Sequence, residues 1–337
     1  MPITVKTLQS SYDIVIEKGA LLRIGEILNL KRRVLVVTDS GVPSEYSNTV
    51  LNASKEGTVL VLPEGESSKN IDNLQLILKK LVENNFTRTD VVVAVGGGMI
   101  GDLSGFAASM YMRGIDFYNI PTTVLSQVDS SIGGKTAIDF MGIKNIVGAF
   151  YQPKRVVIDI ETLKTLPQRQ ISNGLCEAFK MACTSDKSLF EIFEKCEALN
   201  KIETVIEKAL LIKKDVVEKD EREAGLRKIL NFGHTVAHAV ESADNMKNLY
   251  HGECVAIGMP IMCSPKIRNR VESVLKSLGL KTELSYTVDE LIELCKHDKK
   301  TSGDKITIVY LEDIENFELR EISFSELKNM IREAAQI

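Results

Sequence analysis

Histidines are the first residues in this chain whose placement suggests chemistry. There are four, and three of them, His234, His238 and His251, lie close together in the second half. Written on a helix, Arg227, Asn231, His234, His238 and Glu241 recur every third or fourth residue and form one polar stripe. Such a stripe is usually a solvated face, but this one has no lysine and is flanked by Ala237, Ala239 and Val240. The expectation is a stripe that faces a cleft. Histidines four apart can share a metal, as in HExxH, but Thr235, Val236 and Ala237 intervene here, so the glutamate of that motif is missing. His251-Gly252-Glu253 supplies a third imidazole. Two imidazoles and one carboxylate with open positions are the usual plan of a catalytic zinc site. Spacing alone chooses neither the two imidazoles nor the carboxylate.

A second candidate is VVVAVGGGMIGDLSGF, residues 91–106. An apolar strand that ends in consecutive glycines lets the backbone turn sharply and lets a phosphate approach its amides. A helix beginning near Met99 would point its positive end at that phosphate. The pattern is not GxGxxG, and glycines that merely permit a tight bend are the plain alternative. Three features favour a dinucleotide. Asp39 closes an apolar strand, where a carboxylate can accept from ribose hydroxyls; Gly65-Glu66 and Lys69 follow the next strand; Pro121-Thr122-Thr123 follows a third. The segment from Asp129 to Asn145 is dense in glycine and polar residues. It reads either as a solvated surface loop or as an anion-binding loop in which Lys135, Lys144 and Asn145 hold a phosphorylated substrate.

The elements that must carry these groups fall into two kinds. Short β-branched runs at 14–16, 33–39, 58–63, 90–96, 117–120 and 156–160 alternate with helical patterns such as 73–84, where Leu74, Leu78 and Leu81 share a face. Strand, helix and strand in alternation imply a mainly parallel sheet covered by helices. From Pro167 to Pro260 no proline intervenes and helical periodicity dominates, with 303–311 as one further short strand or hairpin arm. The expected fold is an α/β N-terminal domain with a mainly parallel, Rossmann-like sheet (1–161), followed by an all-α C-terminal domain (162–337), with the active site in the cleft between them.

A length of 337 residues suits two domains. The net charge of -4 argues against a general nucleic-acid coat. No apolar run approaches the roughly 18 residues of a membrane span. The N-terminal stretch lacks the apolar core and cleavage site of a signal peptide. The six cysteines, Cys176, Cys183, Cys196, Cys254, Cys263 and Cys295, form no CxxC pair. A cytoplasmic protein with reduced thiols is expected.

Several motifs occur together in one order: GGGMIGDLSGF (96–106), Met112-Arg113-Gly114, Pro121-Thr122-Thr123, QVDSSIGGKTA (127–137), KNIVGAFYQP (144–153), GLCEAFK (174–180), DEREAGLRKILNFGHTVAHAVE (220–241) and His251-Gly252-Glu253. In this combination, over roughly positions 10 to 310, the chain resembles the 3-dehydroquinate synthase family. That family belongs to the sugar phosphate cyclases and shares its fold with iron- and zinc-dependent polyol dehydrogenases. The resemblance implies that Glu177, His234 and His251 are zinc ligands, with Co2+ a possible substitute, and that His238 belongs to the substrate pocket. It implies NAD contacts at Asp39, Glu66, Lys69, the Gly97-Gly98 turn, Asp102, Thr122 and Thr123, with Asp129 and Lys144 beside the cofactor. Lys135, Asn145, Lys180, Lys213, Arg227 and Asn231 match substrate contacts, and Lys299 or Lys300 a further phosphate contact. Arg113 matches an arginine that reaches the partner subunit's site, so a homodimer is implied. Cys176 and Phe179 depart from the family's usual residues, and 260–279 looks shortened.

The implied reaction converts 3-deoxy-D-arabino-heptulosonate 7-phosphate into 3-dehydroquinate and phosphate. One hydroxyl is transiently oxidised by NAD, phosphate leaves by β-elimination, hydride returns, the ring opens and an aldol step closes the carbocycle. The alternatives are another sugar phosphate cyclase, or a metal-dependent polyol or glycerol-phosphate dehydrogenase on the same fold.

Overall fold

The computed structural model describes residues 2–8, 10–223, 225–244, 247–296, 301–302 and 305–335. The chain divides into two compact units, Met1–Pro167 and Gln168–Ile337. The division falls slightly beyond the expected 161/162, because the short 3-10 helix Ile160–Thr165 stays with the first unit.

In chain order the strands of the first unit are β1 (Ile3–Lys6), β2 (Ser11–Ile16), β3 (Arg33–Asp39), β4 (Glu56–Leu62), β5 (Val91–Gly96), β6 (Asp116–Pro121), β7 (Lys135–Phe140), β8 (Ile143–Phe150) and β9 (Arg155–Ile158). Seven of them form one sheet in the order β1-β2-β9-β6-β5-β3-β4. Every pair is parallel except β1 with β2 at the edge. Strand β5 is buried along its whole length, which is why VVVAVG shows no polar alternation. The side-chain period of two divides the core into two layers. Leu35, Val37, Val92 and Ala94 pack with Leu74, Ile77, Leu81, Leu103 and Phe106 on one face. Val34, Val36, Val91, Val93 and Val95 pack with Ile24, Val50 and Val157 on the other.

Helix Ile71–Glu83 matches the pattern seen in the sequence. Asn70 caps it by accepting from the Asn73 N–H at 3.0 Å, and Leu74, Ile77 and Leu81 are buried. The segment expected as a loop between Asp129 and Asn145 is different. It runs through a short π-helical turn, Ser126–Ser130, into the antiparallel hairpin β7–β8. Thr136, Ala137 and Ile138 are buried, while most of β8 is exposed. Only one face packs, and glycines and charged residues interrupt the apolar ones, so the segment does not read as a core strand.

The second unit is mainly helical, with helices Gln168–Ser185, Lys187–Glu194, Ile202–Lys219, His234–Asp244, His251–Ile261, Pro265–Ser277, Val288–Lys296 and Phe324–Ala335. It also carries a small antiparallel sheet, β10 (Thr301–Ser302), β11 (Lys305–Asp313) and β12 (Asn316–Ser323), which an all-α description leaves out. In KITIVYL, Ile306, Ile308, Val309 and Leu311 are buried, and the consecutive pair Ile308-Val309 shows that both faces of the strand pack. Among the described residues no helix is long and apolar enough to cross a membrane.

Candidate active site

The polar stripe drawn across Arg227 to Glu241 is not one helix. Arg227 and Asn231 lie on the 3-10 helix Leu226–Asn231, and a new helix starts at His234. Between them Gly233 adopts φ 78°, a left-handed turn that favours glycine. A Cβ on Gly258 would sit 2.1 Å from the Gly233 carbonyl oxygen, so the turn rests directly on helix His251–Ile261. At the start of that helix, a Cβ on Gly252 would sit 2.1 Å from the Asn173 carbonyl oxygen. These two close approaches bring the helices bearing His234 and Glu177 against the helix bearing His251.

Glu177, His234 and His251 converge as a result, with one donor atom from each lying within 4.8 Å of the others. The Nε2 atoms of His234 and His251 stand 3.8 and 3.6 Å from Glu177 Oε1. Donors around a tetrahedral ion with bonds of about 2.0–2.1 Å would be roughly 3.3 Å apart, so small adjustments suffice. Glu177 is 1% exposed, and its Oε1 is buried with no hydrogen-bond partner. A buried carboxylate oxygen left so is costly unless a cation meets it. Its other oxygen, Oε2, accepts from Lys180 one turn along the helix.

Both imidazoles are held from behind. His234 Nδ1 lies 3.1 Å from the Phe232 carbonyl, and His251 Nδ1 lies 2.7 Å from Glu241 Oε1. Carbonyl and carboxylate oxygens can only accept, so each Nδ1 donates, which leaves Nε2 as the nitrogen that carries a lone pair when the ring is neutral. Burial pulls the His251 imidazole down, but the Glu241 hydrogen bond and charge outweigh it and hold the ring above its ordinary pKa. His238 sits on the next turn, its ring centroid 5.6 Å from that of His234, and is not in the converging group.

The helix Gln168–Ser185 also fixes where His251 starts. Asn173 Oδ1 accepts from the Gly252 N–H at 2.6 Å. One turn earlier, Arg169 makes a two-pronged pair with Glu253, 2.7 Å on each arm, and lies over the Tyr250 ring. Arg169, Asn173 and Glu177 therefore grip Glu253, Gly252 and His251 in turn.

Among the described residues of this unit three cations are buried: Lys180, Lys213 and Arg227, each 5% exposed or less. They lie on elements that pack on one another, namely the helices Gln168–Ser185 and Ile202–Lys219 and the 3-10 helix Leu226–Asn231. Arg227 donates to the Glu221 carbonyl at 2.6 Å, and Asn231 Nδ2 donates to Glu223 Oε1 at 2.9 Å. Buried cations of this number suit an anionic ligand. Lys299 and Lys300 lie outside the described residues.

In the first unit the parallel register gathers the second set along one sheet edge. Asp39 pairs with Leu62 and Gly96 with Pro121, so β3, β4, β5 and β6 end side by side. Gly97 occupies the N-cap of helix Gly98–Met110 without a side-chain cap. A Cβ at Gly98 would meet Ser130 Oγ at 2.9 Å, and one at Gly97 would meet Thr123 Cγ2 at 3.2 Å. The Thr122 N–H donates to the Gly96 carbonyl at 2.9 Å. The bare helix start fits a phosphate. Asp39 accepts from the Gly41 N–H at 2.9 Å, and burial raises its carboxyl.

Lys69 is buried, 2.6 Å from Asp102 and 3.4 Å from Glu66. Burial would lower its ammonium, but those carboxylates hold it above the ordinary lysine value. The hairpin is tied to the same place. The Asp139 N–H donates to the Lys69 carbonyl, and Asp139 Oδ1 accepts from the Asn145 N–H, both at 2.8 Å. Lys144 lies beside Asn145, and Asp129 in the π-helical turn. Lys135 and Arg113 are exposed, and Met112 and Arg113 both have positive φ, 49° and 67°.

A family model described as 3-dehydroquinate synthase N-terminal matches residues 59–173, and one described as 3-dehydroquinate synthase C-terminal matches residues 174–301. The chain belongs to the 3-dehydroquinate synthase family. It is similar to the 3-dehydroquinate synthase of Clostridium kluyveri, with 39% identity over 96% of each chain. Among solved structures it is similar to 2-epi-5-epi-valiolone synthase from Streptomyces hygroscopicus subsp. jinggangensis 5008 with NAD+ and Zn2+ bound, at 26% identity and TM-score 0.89 over 98% of this chain and 99% of that one. It is also similar to 2-deoxy-scyllo-inosose synthase complexed with carbaglucose-6-phosphate, NAD+ and Co2+, at 25% identity and TM-score 0.86 over 99% of each. The activity is that of a 3-dehydroquinate synthase, a carbon–oxygen lyase.

Several residues in this 3-dehydroquinate synthase frame carry contacts that the sequence reading gave no role: Glu241, Asn173, Arg169 and Asp139. Glu241 was visible as a member of the stripe. The others lacked any signal, because a pairing between distant segments leaves no local pattern.

Proposed function

We propose that Glu177, His234 and His251 hold the catalytic metal, Zn2+ with Co2+ as a competent substitute, and that the sheet edge around Gly97-Gly98 holds NAD. The observation that carries the metal reading is Glu177 Oε1, buried, without a hydrogen-bond partner and faced by two Nε2 atoms. Bound NAD supplies a hydride acceptor restored within each turnover, and the bound metal supplies polarisation of neighbouring substrate hydroxyls. Three protein donors leave positions for those hydroxyls.

The chain's own residues then bind and orient. Asp39 suits the ribose hydroxyls, and the amides after Gly97 suit the pyrophosphate. Lys69 ties Glu66 and Asp102 into one cluster beside the cofactor, with Thr122, Thr123, Asp129 and Lys144 completing that side. Lys180, Lys213 and Arg227 supply positive charge for the sugar phosphate, together with Lys135 and Asn145 from the hairpin. With no carboxylate assigned as base, the phosphate of the substrate takes the proton itself, and the protein orients groups already close. His238 and Asn231 assist ring opening through a water.

A homodimer in which Arg113 serves the partner subunit accompanies this reading. It is supported by the exposed apolar side chains Phe140, Met141, Ile143 and Ile146 of the hairpin, which a monomer would leave in water. None of the six cysteines is in a disulfide, which supports a cytoplasmic setting.

The test follows phosphate release from 3-deoxy-D-arabino-heptulosonate 7-phosphate together with NADH absorbance, with catalytic NAD and with or without a chelator. The expected result is metal-dependent phosphate release with no lasting NADH. Accumulating NADH on polyols without phosphate release would overturn the reading.

A further inference from the structure

Glu241 lies two turns beyond His234 on the same helix and is 5% exposed. Its Oε1 accepts from His251 Nδ1 at 2.7 Å, while Nε2 of the same ring stands 3.6 Å from Glu177 Oε1. An imidazole ring can rotate about χ2 and can carry its proton on either nitrogen. Only one combination presents an Nε2 lone pair to the triad, and a carboxylate behind Nδ1 selects it. His234 obtains the same selection from a backbone carbonyl, which no substitution of a side chain removes. At His251 the selection rests on a side chain from another helix.

We propose that Glu241 is a positioning residue that sets the rotation and tautomer of His251 for metal binding. The inference rests on the reading of Glu177, His234 and His251 as a metal site. Burying a carboxylate is costly, and the hydrogen bond to His251 gives that burial a use. The helix His234–Asp244 thereby contributes twice, as a ligand through His234 and as the support of another helix's ligand through Glu241.

The full-length chain, stripped with a chelator, is titrated with Co2+ while the visible ligand-field bands are recorded, and affinity is measured by competition with a chromophoric chelator. The variants are Glu241→Gln, which keeps an acceptor oxygen, Glu241→Met, which matches its length and removes the acceptor, and His251→Ala. Removing an outer-shell partner of a metal-bound histidine typically costs about 10–100-fold in affinity. Glu241→Met is expected to show that loss and to shift the bands, while Glu241→Gln keeps most of the affinity and the parent spectrum. Circular dichroism of the metal-free variants should match the parent. If the methionine variant does not fold, Glu241→Asp, which draws the acceptor back, replaces it with the same expectation. Parent-like affinity and bands in the variant lacking the acceptor overturn the proposal, as does equal loss in the glutamine variant. A parent chain that binds no Co2+ overturns the metal reading instead.

Discussion

Glu177 divides its two oxygens between a lysine and two imidazoles, and its pair with the lysine is buried. Lys180 and Glu177 are 2% and 1% exposed. Taking one charge of such a pair away leaves the other uncompensated, at a cost of about 3–5 kcal/mol. Lys180→Met should therefore destabilise the metal-free chain by that amount in urea unfolding, and added Zn2+ should recover part of it by meeting the stranded carboxylate. A midpoint unchanged from the parent would deny that the pair contributes to stability. Residue types alone brought this cluster within reach: three histidines near one another in a chain that has four are hard to miss. Glu177 has no such mark, because it sits far upstream on another helix. Only the family resemblance singled it out.

At the scale of elements, close helix contact matters as much as ligand identity. Gly252 lets the start of helix His251–Ile261 meet Asn173, and the obstructing atom is backbone, which cannot swing aside. Gly252→Ala should push the two helices apart, lower thermal stability and weaken metal binding by at least 10-fold in the same Co2+ titration; retained affinity would show that the contact is slack. The turn leading into that helix has its own lock. Burial raises the Asp244 carboxyl, but hydrogen bonds from the N–H groups of Asn248 and Leu249, the Asn248 amide and the Tyr286 hydroxyl outweigh it and hold it down at about 2. A folded value below the ordinary one stabilises the protein fully above about pH 4, and this contribution is lost as pH falls towards 2. Asp244→Asn should be less stable near neutrality, and its deficit should shrink as the medium is acidified through that range. A deficit that stays constant with pH would deny the lock.

Element types were readable where local pattern and tertiary role agree, as in β3, β5 and helix Ile71–Glu83. They were not readable where contacts from elsewhere decide. Hairpin β7–β8 has one packed face and a glycine-rich approach, so it reads as a loop. The break at Gly233 is invisible to helical periodicity, since Arg227 and Asn231 keep the right spacing on a 3-10 helix that stops one turn short. KITIVYL, by contrast, is a short β-branched run that reads as a strand, and the sheet it belongs to was underestimated because helices surround it in sequence.

For the whole molecule, the repeated strand–helix pattern followed by a long helical stretch was enough to give two units of the right kind, and the motif set was enough to give the family. Assembly is less visible, since nothing in a single chain says what covers an exposed hairpin. The proposed dimer makes a definite prediction. Arg113→Ala and Lys135→Ala chains, each inactive alone, should regain phosphate release when mixed and allowed to exchange subunits, because one site of the mixed dimer then has both groups. No recovery would place Arg113 in its own subunit's site. The three converging donors also have a mechanical meaning. Glu177, His234 and His251 come from three separate helices, so the proposed ion, held by all three, would be a cross-link as well as a catalyst. At a free concentration 100 times its dissociation constant, such an ion adds about 2.7 kcal/mol to folding stability. On the proposed metal site, a cell short of that metal would lose the enzyme twice: once as idle active sites, and again as chains more easily unfolded and cleared.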